Sequence, residues 1–321
     1  MQYCEKGRIC RGLGGLYEVL LDPGDTPASG GRILCRAKGN FRHEGLTPLV
    51  GDRVQVLFDE TALPGKQHGT AQTDGGGAVI AEILPRTTVL IRPPMANLGR
   101  IFMVFSAARP MPVTETVDKM LTIADYAGVE PFPVITKSEL DTARAAELSD
   151  IYRLAGFRVF SVSSVTGEGI DELRDFLSQD IGNDRISAFA GASGVGKSTL
   201  LNTLYPELAL ATGEISRKIE RGRHTTRRVE LYPLPHGFLA DTPGFSLLDF
   251  TRFDFLKPEE LPFAMRDFRP YLGQCRYKKC THTKEEGCAV LSAVRSGEIA
   301  PSRHAGFLSM YEEMRHRRNW S

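Results

Sequence analysis

The chain contains the string Gly191-Ala192-Ser193-Gly194-Val195-Gly196-Lys197-Ser198, followed by Thr199. It matches the P-loop pattern G-x-x-x-x-G-K-[ST], in which backbone N–H groups surround phosphate oxygens. An apolar segment at 186–190 precedes the string, and helix-forming residues at 198–204 follow it. This order of strand, loop and helix predicts that Lys197 reaches the β- and γ-phosphates of a nucleotide and that the Ser198 hydroxyl binds Mg²⁺.

A second motif, Asp241-Thr242-Pro243-Gly244, begins 44 residues after Lys197 at the end of an apolar segment. Behind a P-loop, D-x-x-G is typical of a switch in which the Asp holds Mg²⁺ and the Gly N–H senses the γ-phosphate. The basic segment Gly222-Arg223-His224-Thr225-Thr226 lies between the two motifs. The predicted Mg²⁺ ligands are therefore Ser198, Thr226 and Asp241. The other interpretation of residues 222–226 is a solvated basic loop.

Guanine specificity in GTPases comes from an N/T-K-x-D motif, whose carboxylate accepts hydrogen bonds from guanine N1–H and N2–H₂. The similar string Thr136-Lys137-Ser138-Glu139 follows an apolar segment at 132–135, at the strand end where open α/β sheets bind ligands. Ser163-Ser164 follows the next apolar segment and predicts a backbone N–H for guanine O6. Because these elements precede the P-loop, the sequence predicts a GTPase domain in circularly permuted order.

The distribution of apolar residues predicts three domains. Residues 1–85 form five short strand patterns separated by Pro- and Gly-rich turns, which indicates an OB-type β-barrel or another small β-domain. The strand patterns lie at 8–11, 16–21, 33–37, 54–58 and 79–83, and the Gly-rich polar stretch 64–77 predicts a mobile loop. Residues 86–250 alternate strands with amphipathic helices such as 114–127, which predicts a parallel sheet covered by helices. Residues 251–321 form a loop-rich segment with a helical tail.

The C-terminal segment contains the pattern Cys275-x4-Cys280-x-His282-x5-Cys288. Four soft ligands within 14 residues suit a tetrahedral Zn²⁺ bound as Cys₃His with no open position, so we expect one structural zinc ion. The stretch has little core of its own, and metal binding supplies folding free energy in such cases. The other interpretation is free thiols in a loop.

Composition excludes several classes of protein. With 41% hydrophobic and 25% charged residues among 321, the chain is not disordered, and its apolar runs are too short for a transmembrane helix. The N-terminal residues lack the apolar region of a signal peptide, so we expect a cytoplasmic protein without a membrane partner. Residues 266–321 contain 11 Lys or Arg and six acidic residues, a local charge of +5. This charge favours an anionic partner or a solvated basic face.

Taken together, these motifs resemble those of the RsgA family, circularly permuted GTPases that depend on the small ribosomal subunit. The resemblance covers nearly the whole chain and includes the strings Gly51-Asp52-Arg53-Val54 and Arg92-Pro93-Pro94-Met95-Ala96-Asn97. It implies an OB-fold, a permuted GTPase domain and a C-terminal zinc domain. It also implies slow GTP hydrolysis that the 30S subunit stimulates and a role in late 30S maturation. On this basis we expect GTP or GDP, the 30S subunit and its 16S rRNA as partners of a monomeric chain.

Two motifs depart from the family pattern. The guanine motif usually ends in Asp, whereas this chain has Glu139, one methylene longer. We expect guanine binding to be retained but weaker. The entry motif usually reads A-N-V-D-Q, and here it reads Ala96-Asn97-Leu98-Gly99-Arg100, which predicts an altered domain contact.

The residue that orients the attacking water is the least defined part of the predicted site. A Ras-like GTPase has Gln directly after D-x-x-G, but this chain has Phe245, which cannot hydrogen-bond water. We therefore expect slow hydrolysis, with His224 as the water-orienting residue and Lys197 as the second catalytic residue. Two alternatives stay open: an ATP-using P-loop enzyme, and a GTP-regulated RNA-binding factor in which hydrolysis only times release.

Overall fold

The computed structural model describes residues 2–24, 28–42, 45–59, 77–91, 94–179, 185–206, 229–241 and 256–318. The chain divides into two units, which we describe separately. The first comprises residues 1–99, 180–188 and 226–244, and the second comprises residues 100–179, 189–225 and 245–321. The predicted domain boundaries, 1–85, 86–250 and 251–321, divide the chain differently and stay a prediction.

The described residues form thirteen strands and seven α-helices. The strands are β1 (Gln2–Leu13), β2 (Leu16–Leu21), β3 (Arg32–Ala37), β4 (Arg53–Asp59), β5 (Ala78–Ile83), β6 (Val89–Ile91), β7 (Pro94–Ala96), β8 (Leu98–Ser106), β9 (Glu130–Thr136), β10 (Phe160–Ser161), β11 (Ile186–Ala190), β12 (Glu230–Leu234) and β13 (Gly237–Asp241). The helices are α1 (Thr114–Tyr126), α2 (Thr142–Leu154), α3 (Ile170–Ser178), α4 (Lys197–Leu204), α5 (Leu261–Ala264), α6 (Ala289–Ser296) and α7 (Pro301–Arg318).

Strands β1 to β5 form the barrel of the first unit. In β4, the side chains of Val54, Val56 and Phe58 are buried while the alternate residues are half-buried, as expected of a strand with one face on a core. Strand β1 pairs antiparallel with β2 and β4, β2 pairs antiparallel with β3, and β5 pairs antiparallel with β4 and parallel with β3, so the sheet closes on itself. The predicted OB-type barrel is confirmed.

The entry motif is built around Asn97 in the first unit. Asn97 adopts a left-handed backbone (φ 59°), and its Nδ2 donates to the Gly51 carbonyl over 3.0 Å while its Oδ1 accepts from Thr87 N over 2.8 Å. Gly51 also has positive φ (95°), and a Cβ there would lie 2.0 Å from the Ala96 carbonyl oxygen. Arg8 donates to the same Gly51 carbonyl from within the barrel. Two motifs far apart in sequence thus form one hydrogen-bonded junction.

The second unit contains the parallel strands β8, β9 and β10, with β9 in the middle. Its apolar core contains a cluster of aromatic rings with neighbouring centroids 4.7–6.4 Å apart: Phe102, Phe132, Phe160, Phe176 and Phe189. Arg100, one of the residues that depart from the family's entry motif, is buried with its guanidinium over the rings of Phe102 and Phe176. Its position makes it a packing residue of this core.

Buried charges join the C-terminal helices to α1 within the second unit. Arg303 on α7 bonds Asp118 on α1 over 2.7 Å and Asp267 over 3.0 Å, and all three side chains are at most 3% exposed. A second pair, Lys119 and Glu313, links the same two helices over 2.5 Å. An unpaired charge at this depth would be costly, so the pairing fixes how α7 packs on α1.

Most predicted elements form at or near the predicted positions. Strand β10 is shorter than the apolar segment at 157–162, and β12 and the hairpin of β6 and β7 were not predicted. The predicted mobile loop at 64–77 lies almost wholly outside the described residues. No helix in the described parts of the chain is both long and apolar enough to cross a bilayer.

Candidate nucleotide-binding site and metal centre

The P-loop connects the end of β11 to the start of α4 and depends on glycine at three positions. A Cβ on Gly191 would lie 2.3 Å from the Val104 carbonyl oxygen, so no side chain fits there. Gly194 and Gly196 adopt left-handed backbones, with φ 79° and 96°, which side chains other than glycine rarely accept. The turn delivers Lys197 to the first position of α4, where the helix N-terminus adds a favourable field for phosphate.

The predicted guanine motif lies directly against the P-loop. Thr136 Oγ1 donates to the Val195 carbonyl, and Lys137 Nζ donates to the Gly194 carbonyl over 2.8 Å and to the Arg109 carbonyl over 2.6 Å. Each side chain thus holds the backbone of the phosphate-binding loop in place. Lys137 contacts a residue three positions before Lys197, which puts both motifs on one surface. We call Thr136–Glu139 together with Gly191–Ser198 the nucleotide-binding surface.

Two polar atoms of the guanine motif are buried and unpaired. A short 3₁₀ helix, Ser138–Leu140, begins after Lys137, which has a left-handed backbone with φ 56°. Ser138 Oγ and Glu139 Oε2 are buried, and no described residue hydrogen-bonds to either. Buried polar atoms are normally satisfied, so the open acceptor on Glu139 suits a ligand that donates.

Of the two predicted serines, Ser164 is the better placed to donate a backbone N–H. The Ser163 N–H donates to the Glu168 carbonyl over 2.9 Å, and its Oγ accepts from Val165 N and Thr166 N. Ser163 thereby shapes the loop and is itself fully buried. Among the described residues, none accepts a hydrogen bond from the Ser164 N–H. Ser164 is therefore the remaining candidate for the backbone N–H that donates to guanine O6.

The predicted switch residues fall mostly outside the described residues. This applies to His224, Thr226 and Gly244. The backbone of Asp241 is described as the last residue of β13, where it pairs with Glu230. Their roles in Mg²⁺ binding and hydrolysis stay predictions.

The four predicted zinc ligands come together in the C-terminal region. The ligand atoms of Cys275, Cys280, His282 and Cys288 all lie within 4.8 Å of one another. The Sγ atoms of Cys275 and Cys288 are 3.9 Å apart, and His282 Nδ1 lies 3.6 Å and 3.4 Å from them. We call these four residues the cysteine–histidine cluster.

The separations among Cys275, His282 and Cys288 fit a tetrahedral metal ion, with Cys280 as the fourth ligand within 4.8 Å. With Zn–S near about 2.3 Å and Zn–N near about 2.0 Å, tetrahedral angles give about 3.8 Å between sulfurs and about 3.5 Å between sulfur and nitrogen. Burial raises the pKa of the Cys280 thiol to about 12 and also raises the pKa of Cys288, while it lowers the pKa of His282. A bound cation is what stabilises such thiols as thiolates, and a neutral imidazole is the form that ligates. The residues therefore fit a metal ion.

Glu285 organises the loop that carries His282. Its carboxylate accepts from the backbone N–H groups of Thr281, Thr283 and Lys284 over 2.7 to 3.1 Å. Although burial opposes the shift, a hydrogen bond from the Thr281 hydroxyl together with the backbone N–H bonds lowers the pKa of Glu285 to about 2. His282 takes a left-handed backbone, φ 59°, at the centre of this turn. Sequence analysis assigned no role to Glu285, although its position three residues after His282 was an available signal.

Two family models match the chain in agreement with this geometry. The RsgA GTPase model matches residues 83–251, and the RsgA N-terminal domain model matches residues 6–62. The chain belongs to the RsgA family. It is 40% identical to the small ribosomal subunit biogenesis GTPase RsgA of Geobacillus thermodenitrificans over 98% of each chain. It is 38% identical to that of Caldanaerobacter subterraneus, over 97% of this chain and 96% of the relative.

Solved structures of RsgA relatives share the fold of the whole chain. YjeQ from Thermotoga maritima superimposes with a TM-score of 0.76 at 31% identity, covering 97% of this chain and 99% of that one. YloQ, described as a circularly permuted GTPase, gives a TM-score of 0.74 at 32% identity, covering 98% and 96%. The predicted permuted order is confirmed.

Sequence reasoning missed the part of the RsgA nucleotide-binding surface that Arg109 supplies. Its carbonyl, in the connection between β8 and α1, accepts from Lys137, and neighbouring Pro110 lies 3.8 Å from the position of a Cβ on Gly194. A backbone carbonyl leaves no mark in the amino-acid sequence. Only the Pro-rich string Arg109-Pro110-Met111-Pro112 signalled an unusual connection.

Proposed function

We propose that this chain is a GTPase that binds the small ribosomal subunit and assists its late maturation. As an RsgA GTPase it hydrolyses GTP, and relatives that match nearly its whole length are small ribosomal subunit biogenesis GTPases. The observation that carries the proposal is the pair of hydrogen bonds from Lys137 to Gly194 and Arg109, because they join the guanine motif to the phosphate-binding loop. One nucleotide then contacts both.

Guanine is the base that this surface suits. The carboxylate of Glu139, with a buried and unpaired Oε2, accepts from guanine N1–H and N2–H₂, and the Ser164 N–H donates to O6. Thr136 and Lys137 shape the base pocket through the P-loop backbone. Adenine presents no such pair of donors, and a site with an unmet acceptor rejects a ligand that cannot satisfy it.

Residues 191–199 bind the phosphates, and Lys197 neutralises the charge that develops on the transferred phosphoryl group. Ser198, Thr226 and Asp241 would hold Mg²⁺, which supplies further charge neutralisation when it is bound. The cysteine–histidine cluster would hold one Zn²⁺. It leaves no open coordination position, so the ion stabilises the C-terminal fold and takes no part in hydrolysis.

The residue directly after D-x-x-G cannot orient water, which supports slow hydrolysis in the absence of a partner. Phe245 stands where a water-orienting Gln would be, and His224 in the basic segment is the candidate that replaces it. We expect the 30S subunit to position His224 for this role. If the His224→Ala variant keeps full 30S-stimulated GTP turnover, His224 does not orient the attacking water.

The test of the proposal is GTP turnover with and without purified 30S subunits. We expect slow turnover alone, a clear stimulation by 30S subunits, and loss of both with Lys197→Ala. Sedimentation of the chain with 30S subunits should weaken steeply as salt increases, since contacts to 16S rRNA phosphates release counterions. Turnover that 30S subunits leave unchanged would contradict the proposal.

A second candidate is an RNA-binding assembly factor whose hydrolysis only times release. The net positive charge of residues 266–321 favours it. A non-hydrolysable GTP analogue separates the two: full maturation of 30S precursors with the analogue, followed by failure to dissociate, would assign hydrolysis to release. Both candidate functions are compatible with a monomer that binds an assembling subunit in the cytoplasm.

A further inference from the structure

The loop between the first two cluster cysteines presents an aromatic ring among positive charges. Cys275 and Cys280 bracket Arg276, Tyr277, Lys278 and Lys279, all of which are exposed. Tyr277 is 49% exposed. A large part of its ring therefore faces solvent, although cysteines of the cluster hold both ends of the loop. We call residues 276–279 the basic loop.

The backbone of the basic loop is held in place. Arg276 N donates to the Gly287 carbonyl over 3.0 Å, and Cys280 N donates to the Tyr277 carbonyl over 3.2 Å. A Cβ on Gly287 would lie 2.9 Å from Arg276 Cβ, so the two segments touch. The Arg276 guanidinium lies 5.6 Å from the centre of the Tyr277 ring. The ring is therefore presented on a fixed support, which lowers the entropy cost of a contact with a partner.

The charges around Tyr277 are available to an anionic partner. Lys278, Lys279 and Lys284 are exposed, and none forms an ion pair with a residue that the structure describes. Glu285 is engaged with backbone N–H groups of its own turn, which leaves the exposed Glu286 as the acidic residue nearest in sequence. Basic residues therefore outnumber acidic ones in residues 276–286, the stretch that carries Tyr277.

A second exposed aromatic residue in the same unit shows the contrast. Phe263 is 64% exposed, but the arginines near it, Arg266 and Arg269, both bind Asp125. The arginines near Phe263 are therefore paired with a carboxylate, whereas Lys278, Lys279 and Lys284 are not. Exposed rings interleaved with unpaired basic side chains are typical of surfaces that bind single-stranded RNA, where a base stacks on the ring and phosphates meet the charges.

We infer that Tyr277 stacks on an unpaired RNA base while Lys278, Lys279 and Lys284 bind the adjoining phosphates. This inference rests on the proposed function, since it names the residue with which the C-terminal region would contact ribosomal RNA. The inference adds a stacking contact with a base to the proposed function. The net charge of the region by itself predicts only contacts to phosphates. The RNA must offer an unpaired nucleotide, because a paired base has no free face.

The test compares three variants of the metal-loaded full-length chain for affinity to purified 30S subunits in the presence of a non-hydrolysable GTP analogue. Tyr277→Ala should weaken binding about 5- to 150-fold, the range of a lost base–aromatic stack. Tyr277→Phe keeps the ring and should bind within about twofold of wild type. Lys278→Ala should also weaken binding, and it should reduce the slope of log affinity against log salt concentration by about one counterion. Tyr277→Ala should leave that slope unchanged.

Zinc content and turnover without subunits should be those of wild type in all three variants, which excludes misfolding. Wild-type affinity for Tyr277→Ala, or a loss that Tyr277→Phe shares, would overturn the inference. A protein-free 16S rRNA transcript should show the same loss for Tyr277→Ala. Equal binding of this variant and wild type to the transcript would instead assign Tyr277 to a ribosomal protein. Failure of the wild-type chain to bind 30S subunits would contradict the proposed function itself.

Discussion

At the nucleotide-binding surface, side chains bind backbone carbonyls, whereas in the C-terminal region charged side chains bind one another. Thr136 and Lys137 donate to the carbonyls of Val195 and Gly194, while Oε2 of Glu139 is left for the ligand. In contrast, Arg303 is enclosed by Asp118 and Asp267. The first arrangement keeps a site ready to bind and the second fixes one packing, so the two regions should respond differently to the same kind of change.

Metal removal should have the largest effect and should be confined to one region. Structural zinc contributes about 10–16 kcal/mol in small zinc sites, so a zinc-selective chelator in excess Mg²⁺ and GDP should abolish amide exchange protection in residues 275–288. Protection at 186–204 and the affinity for GDP should stay as before. Loss of GDP binding on chelation would show that the two regions are not independent.

Arg303→Met should lower the free energy of unfolding by about 3–5 kcal/mol, because it leaves Asp118 and Asp267 buried without their partner. The matched control is Arg295→Met on α6, whose side chain is exposed and which should change stability by no more than about 0.5 kcal/mol. Urea unfolding measures both. A loss below about 1 kcal/mol for Arg303→Met would show that the buried charges are dispensable.

Lys137→Ala should weaken GDP binding about 10- to 100-fold, since it loosens the P-loop by about the cost of one charge-assisted hydrogen bond, about 1.5–3 kcal/mol. The exposed Lys257 offers the same substitution as a control and should leave GDP affinity unchanged. Titration calorimetry with GDP gives both values. Equal affinities in the two variants would mean that Lys137 does not organise the P-loop.

Glu139→Asp should have the smallest effect, a GDP affinity about two- to threefold tighter, because the shorter side chain loses less rotamer freedom on binding. The same calorimetric titration detects it. Weakening by more than about tenfold would indicate that the site is built around the extra methylene of Glu139.

The sequence predicted the nucleotide-binding surface better than the C-terminal packing, and the physical reason is spacing. The P-loop and the cysteine–histidine cluster need particular residue types at fixed intervals, because a short loop must deliver several groups to one ligand. Arg303 and Asp118 are 185 residues apart, so their pairing follows from tertiary packing and leaves no local pattern.

Strands with strong apolar patterns were predicted well, and strands that depend on pairing were not. Strands β2 and β11 have the bounds that the apolar pattern predicted. Strand β12 contains Pro233 and alternates weakly, and its existence depends on its antiparallel partners β13 and β1. Likewise, Asn97 forms a junction that no periodicity reports, because its partner Gly51 comes from another part of the chain.

The relative affinity of the unmodified chain for GDP and ADP, measured by calorimetry under identical Mg²⁺, tests most directly whether one surface binds base and phosphates together. We expect ADP to bind about 10³-fold or more weakly than GDP, because adenine cannot satisfy the buried acceptor on Glu139. Equal affinities would show that Thr136–Glu139 does not contact the base and would contradict the account.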